Sequence, residues 1–114
     1  MDFEEIREYC LSLPMTEETT PFDEETFVYK VCGKMFLMTG LEDLCTIAVK
    51  LDPERALDLR DEYTEITPAY HMNKRHWNNV KTNGDLPASL IRKLIKESYD
   101  LVVAGLPKAT RERM

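Results

Sequence analysis

The chain has few of the residues from which cofactor sites are usually built. Its 114 residues include only four glycines, two histidines and one tryptophan. Neither of the glycine-rich patterns G-x-G-x-x-G and G-x-x-x-x-G-K-[ST] occurs, so the sequence predicts no nucleotide-phosphate loop. The H-E-x-x-H pattern and the clustered cysteines and histidines of zinc sites are also missing. We therefore expect no cofactor, no metal site and no catalytic residue, and we expect the protein not to be an enzyme.

Paired cysteines and long apolar runs are missing as well. Cys10, Cys32 and Cys45 are odd in number and widely spaced, and each lies among apolar neighbours. This is typical of small buried residues in a reducing compartment. No apolar run approaches the roughly 20 residues of a membrane span, and the start MDFEEIREY lacks the basic start and apolar core of a signal peptide. We expect a cytoplasmic protein with no membrane contact.

Basic residues are scarce except near the end of the chain. The formal net charge of −6 argues against nucleic acid as a partner, because phosphate contacts need lysine and arginine. The charge is unevenly distributed, however: −8 over residues 1–25, −3 over 26–69 and +5 over 70–114. Such asymmetry can mark an interaction surface. Alternatively, the acidic and basic segments lie against one another in the fold.

Hydrophobic spacing predicts three helices in a single domain over residues 1–114. The first covers residues 2–13, with Asp2 as its cap. The second begins at Asp52-Pro53 and runs to about residue 63. The third, 87–104, carries the strongest apolar stripe. We expect the basic tail 108–114 to fray.

Alternating residues predict the strands of one antiparallel sheet. The polar connector TEETTPFDEET should contain a short edge strand, and a hairpin should turn at Gly33-Lys34. The predicted fold is α+β, a two-layer sandwich in which an antiparallel sheet of about five to six strands has helices on one face. The main strands are expected at 26–32, 35–40, 45–51, 66–71 and 76–81.

The segment AYHMNKRHWNNV, residues 69–80, concentrates the unusual side chains. Its lysine and arginine can contact phosphates, its asparagines can pair with base edges, and its histidine and tryptophan rings can stack. As a basic hairpin, residues 69–81 could enter a groove as a wing. The candidate nucleic-acid-binding residues are His71, Asn73, Lys74, Arg75, His76, Trp77, Asn78 and Lys81.

A structural interpretation of the same segment stays open. Trp77 can anchor the core, as large aromatic residues often do. Asn73 and Lys74 can form a turn, and His71 and Asn78 can bond buried backbone groups.

Four stretches together resemble a known family over essentially the whole chain. CLSLP (10–14), VCGKMF (31–36), YHMNKRHW (70–77) and SYDLVVAGLPK (98–108) occur in the order and at the distances found in the MmcQ/YjbR family of small bacterial proteins. The resemblance implies a CyaY-like two-layer α+β fold. It also implies DNA as a ligand, since the family is commonly labelled DNA-binding from a proposed double-wing hairpin arrangement. It implies no catalytic residue.

Three functional hypotheses follow. The first is a non-enzymatic bacterial binding protein that contacts DNA with the hairpin 69–81 and the basic C-terminal third. The second is a protein-interaction or chaperone-like module that binds another protein with its acidic N-terminal surface. The third is a small-molecule site around His71, His76 and Trp77.

Overall fold

The computed structural model describes residues 1–40, 43–70 and 72–114, which form six strands and four helices. The predicted helices are present to within about one residue at each end. The expectation that the tail frays is wrong for Lys108–Glu112, which forms a short helix after Pro107. The elements are α1 (Phe3–Ser12), β1 (Thr16–Thr19), β2 (Phe27–Val31), β3 (Lys34–Thr39), β4 (Thr46–Lys50), α2 (Pro53–Glu62), β5 (Ile66–Pro68), β6 (Trp77–Lys81), α3 (Ala88–Ala104) and α4 (Lys108–Glu112).

The strands form one sheet in the order β1-β2-β3-β4-β6-β5, and every neighbouring pair is antiparallel. The predicted α+β sandwich with a sheet of five to six strands is therefore confirmed. The strand β5 ends at Pro68 rather than near residue 71, although the Ala69 N–H still donates to the Trp77 carbonyl at 3.0 Å. In the described ranges, no helix combines the length and apolarity that a bilayer crossing requires.

Local signals explain where the elements begin and turn. The Asp2 carboxylate accepts from the Glu5 N–H while the Glu5 side chain accepts from the Asp2 N–H, a capping box that starts α1. The hairpin of β2 and β3 turns at Cys32 (φ 49°) and Gly33 (φ 81°), one residue earlier than predicted. Positive φ at both turn positions matches the twist of the adjoining strands.

The two faces of the sheet differ in their cover. Residues paired across an antiparallel ladder share a face, and successive residues alternate between faces. All three long helices pack on one face, where they bury a core with Tyr29, Leu37 and Val49. A bulge between β2 and β3 turns Phe36 into that core as well. We call the opposite side of the sheet the open face.

The open face has its own small apolar cluster. Val28, Met38 and Ala48 are buried at its centre. Met35, Met72 and Trp77 are partly buried against them. In the described part of the chain, no helix packs on this cluster. Side chains of the sheet itself and of the segment before β6 shield it from solvent.

The Ser98 side chain of α3 forms hydrogen bonds with the middle of the sheet. The side chain is fully buried, its hydroxyl donates to the Phe36 carbonyl, and it accepts the Lys50 N–H at 2.8 Å. One hydroxyl thereby pairs two buried backbone groups on β3 and β4, which a bulge and a strand end leave without ladder partners there.

Replacing Ser98 with alanine should destabilise the protein by about 1–3 kcal/mol, because both backbone groups lose their partner. A domain of this size should then melt about 5–15 °C lower. Ser89→Ala, on the exposed side of the same helix, is the matched control and should not lower the melting temperature. Equal melting of the two variants by circular dichroism would contradict this role of Ser98.

Candidate nucleic-acid interface

Residues 73–77 form a tight turn that is stabilised from within. The Asn73 side chain accepts the Arg75 N–H at 3.0 Å, and the Asn73 carbonyl accepts from His76 (3.2 Å) and Trp77 (2.8 Å). Asn73 is therefore occupied in shaping the turn, as the structural interpretation of the sequence proposed.

Arg60 of α2 binds this turn to the helical layer. Its Nε donates to Asn78 Oδ1 at 2.8 Å, and its Nη2 donates to the carbonyls of Lys74 and Trp77. Asn78 is fully buried and donates to the His76 carbonyl at 3.0 Å. Asn78 is thus a structural residue with no free hydrogen-bonding group for a base. Arg60 therefore ties the backbone of Lys74 and Trp77 to α2, and the hypothesis that this hairpin enters a groove as a wing stays a prediction.

Trp77 starts β6 and lies on the open face. It pairs with Lys50 of β4 and packs against the apolar cluster of that face, where it stays partly exposed. The core between sheet and helices does not contain it. His76 is half-buried just before it, and the His76 carbonyl accepts the Leu51 N–H at 2.8 Å.

Cations collect at this end of the open face. Lys74 and Arg75 are exposed in the turn, and Lys50 is the cross-strand neighbour of Trp77. Lys30 of β2 lies further along the same end, beside Met35, with Glu17 of β1 as its other cross-strand neighbour. In the part of the chain that the structure describes, none of the four cations belongs to an ion pair.

Exposed aromatic surface accompanies these charges. Tyr70 is 63% exposed, and the Lys74 ammonium lies 5.2 Å from the centroid of its ring. The Ala69 N–H donates to the Trp77 carbonyl at 3.0 Å, which places Tyr70 next to the start of β6. Two partly open aromatic rings therefore border the cationic turn.

Lys81 is separated from the other predicted cations. It ends β6 opposite Thr46, about 13 Å along the strand from Trp77. Its charge has an acidic neighbour: hydrogen bonds from the Glu65 N–H and the Thr64 hydroxyl, with the charge of Lys81, hold the pKa of Glu65 below its ordinary value. Asn79 lies between these two ends on the open face.

His71 lies outside the described residues. The hypothesis of a small-molecule site around His71, His76 and Trp77 therefore stays a prediction. Among the described residues, no group of three histidine, cysteine or acidic side chains is arranged to hold a metal ion. Burial raises the pKa of the Cys10 thiol to about 12, so Cys10 remains protonated at neutral pH.

The acidic and basic segments contact one another through packing and hydrogen bonds but not through ion pairs. The helix α1 packs beside α3, the Met1 ammonium donates to the Thr82 carbonyl at 3.2 Å, and the Tyr99 hydroxyl donates to the Pro14 carbonyl at 2.7 Å. Over residues 1–40, 43–70 and 72–114, no ion pair joins segment 1–25 to segment 70–114. The acidic strand β1 and the strand β6 are four strand spacings apart, about 19 Å. The hypothesis of a protein-binding acidic surface stays a prediction; Phe22, 71% exposed among acidic residues, lies in that segment.

The basic C-terminal third is not one surface. Arg92 and Lys93 are exposed on α3, which packs on the helix-covered face, whereas Lys74 and Arg75 border the open face. The predicted joint use of the hairpin and the whole basic third would require contacts on both sides of the sheet. The structure therefore narrows the candidate interface to the open face and its turn.

Sequence reasoning missed several members of this surface. Alternation in CTIAVKL already placed Lys50 opposite the core, but nothing local indicated that β4 is the neighbour of β6. Arg60 was missed because its partners are 14 to 18 residues away. The residues not included among the predicted site residues are Lys30, Met35, Lys50, Arg60, Tyr70 and Met72.

Comparisons with known proteins agree with this fold. The YjbR family model matches residues 11–101. The chain is 38% identical to YbdF of Escherichia coli O157:H7 over 97% of this chain and 92% of that protein. It is 33% identical to YjbR of Escherichia coli K12 over 98% and 96% of the two chains.

Two solved structures are also similar to it. The crystal structure of a Deinococcus radiodurans protein with the DUF419 domain superposes with a TM-score of 0.90 at 39% identity, covering 98% of this chain and 86% of that one. A crystal structure from Pseudomonas syringae gives a TM-score of 0.75 at 28% identity, covering 89% and 98%. The likeness to CyaY stays a prediction.

Replacing Arg60 with alanine should release the turn 73–77 from α2. Because buried Asn78 would lose its donor, we expect a loss of about 1–3 kcal/mol in the free energy of unfolding. Amide hydrogen exchange at His76 and Trp77 should also accelerate.

The matched control is Arg55→Ala on the same helix. Arg55 pairs with Glu97 at 3.1 Å, both side chains are about a third exposed, and such a pair contributes at most about 1 kcal/mol. If both variants leave exchange at His76 and Trp77 unchanged, Arg60 does not hold the turn.

Proposed function

Because the chain belongs to the YjbR family, whose model matches most of its length, we propose that it is a non-enzymatic protein that binds DNA with the open face and the turn 73–77. The observation that carries the proposal is the grouping of Lys50, Lys74 and Arg75 around Trp77, in an otherwise acidic protein. Four of the predicted residues keep a direct role in it: Lys74, Arg75, His76 and Trp77.

Electrostatics favours a polyanion at this surface. Neutralising phosphates with lysine and arginine releases condensed counterions and supplies most of the non-specific affinity of DNA-binding proteins. Exposed cations with no ion pair in the described part of the chain do not have to break a bond before they contact a phosphate. Lys74 and Arg75 meet that condition on a turn whose backbone is already fixed, so little conformational entropy is lost on binding.

The polar groups of the segment favour binding over catalysis. A general base must reach its substrate and be oriented by a second group. Here the amides of Asn73 and Asn78 bond the backbone and Arg60 rather than a substrate. The exposed groups here, Lys74, Arg75 and the Tyr70 ring, are of the kinds that contact phosphates and stack on bases.

Replacing Lys74 and Arg75 together with glutamine should weaken DNA binding and its salt dependence. Each lost phosphate contact should reduce the slope of log affinity against log salt by about 0.7 to 0.9. Two lost contacts should therefore lower the slope by about 1.5, measured by fluorescence anisotropy of labelled DNA in a salt titration.

Arg92→Gln with Lys93→Gln is the control, since it removes the same charge from the helical layer. It should leave the slope close to that of the unaltered protein. Absence of binding by the unaltered protein at low salt and micromolar concentration would refute the proposed function. Equal losses in both double variants would show that binding does not depend on the turn.

A further inference from the structure

We propose that the open face binds single-stranded nucleic acid, with bases stacked on Trp77 and Tyr70, in preference to a duplex. This inference rests on the proposed function and deepens it. It is carried by two partly open aromatic rings, Trp77 on the open face and Tyr70 beside the turn, each next to a cation that belongs to no ion pair among the described residues.

The shape of the surface disfavours entry into a duplex groove. The major groove is about 12 Å wide and 8.5 Å deep and is usually filled by a helix or a two-stranded ribbon. The element closest to such a ribbon is the antiparallel pair β5 and β6, but Arg60 hydrogen-bonds the segment that joins them to α2 at the Lys74 and Trp77 carbonyls. No described helix lies on the open face that could take its place.

A row of side chains crosses the same end of four adjacent strands. Lys30, Met35, Lys50 and Trp77 lie on β2, β3, β4 and β6, a span of three strand spacings or about 14 Å. Cations and apolar surface alternate along this row. A duplex presents phosphates, sugars and base edges to such a surface, whereas a single strand presents phosphates and the flat faces of its bases together.

The aromatic rings supply the contact that a duplex cannot use. Bases of a single strand stack on aromatic side chains with little regard to sequence, in grooves whose cations follow the backbone. Trp77 is partly exposed beside Lys50, and Tyr70 is 63% exposed beside Lys74, so each ring has a cation next to it. In a duplex the base faces are already stacked on one another and cannot reach either ring.

The cations around the apolar cluster of the open face favour a polyanion as its ligand. The methionines and Trp77 alone would also suit an apolar peptide. The four cations that border them, Lys30, Lys50, Lys74 and Arg75, make an anionic chain the complementary ligand. Phosphates and base faces are common to DNA and RNA, so the inference covers a strand of either sugar.

The test compares oligonucleotides of about 12 nucleotides, within the range of known single-strand sites: oligo-dT, oligo-rU and a DNA duplex of the same length. Anisotropy should give an affinity at least about tenfold higher for one or both single strands than for the duplex. The fluorescence of Trp77, the only tryptophan, should be quenched by the single strand.

Variants of the two rings separate stacking from charge. Tyr70→Ala changes an exposed residue and should weaken single-strand binding about fivefold, with less than about a twofold effect on the duplex. Trp77→Leu should weaken it at least about tenfold. Phe22→Ala, which removes a similarly exposed ring in the acidic segment, is the control and should change neither affinity.

These measurements distinguish a failure of the proposed function from a failure of the single-strand inference. If the unaltered protein binds none of the three probes, the proposed function fails and the inference fails with it. If it binds duplex as tightly as single strands, with no quenching of Trp77 and no loss in Tyr70→Ala, the proposed function stands and the single-strand inference is overturned.

Discussion

The arrangement of the candidate interface depends on one guanidinium group. Arg60 is on α2, yet its donors reach Asn78 Oδ1 on β6 and the carbonyls of Lys74 and Trp77 in the preceding turn. A planar group with fixed donors on separate nitrogens can make these contacts together, whereas a lysine would have to make them all from a single nitrogen. The hydrogen bond from Arg60 Nε offsets the desolvation cost of burying the Asn78 amide. The bonds from Nη2 fix the backbone at the start of β6. The outward direction of Lys74 and Arg75, and the position of Trp77 beside Lys50, follow from that backbone being held.

The one-sided cover of the sheet determines what surface remains for a ligand. The helices α1, α2 and α3 use their apolar faces on the same side, so the other side must satisfy its own apolar residues. It does so with Val28, Met38 and Ala48 at the centre and flexible methionine side chains around them. Lysines at the margin allow such a face to remain exposed to water, since their aliphatic stems cover apolar surface while their ammonium groups stay hydrated. The same composition suits a ligand with apolar faces and regular negative charge.

Local sequence determined the elements but not their partners. The helix starts were predictable because Asp2 and Asp52-Pro53 are caps that act within one turn. Alternation also showed that Lys50 faces away from the core. The pairing of β4 with β6 was not predictable, because α2 and β5 lie between them in the chain. The two strands are not joined by a short turn whose residues would indicate that they pair. For the same reason, the buried amide of Asn78 and the turn-forming amide of Asn73 looked alike in the sequence. The two amides differ in that Asn78 accepts a hydrogen bond from Arg60, which is 18 residues away in the chain.

For the proposed nucleic-acid ligand, the net charge of the chain is a poor guide. The charge of −8 on the first 25 residues argued against a polyanionic partner, but two of its nine acids, Glu17 and Glu18, lie on β1, about 19 Å across the sheet from β6. At physiological ionic strength the Debye length is about 8 Å, so exposed charges at that separation are largely screened from one another. A phosphate at the turn responds mainly to Lys50, Lys74 and Arg75. Opposite charges at the two edges of the sheet would orient the approach of the proposed ligand. The acidic composition then favours one binding face over the others, which is compatible with a nucleic-acid ligand that the total charge alone would exclude.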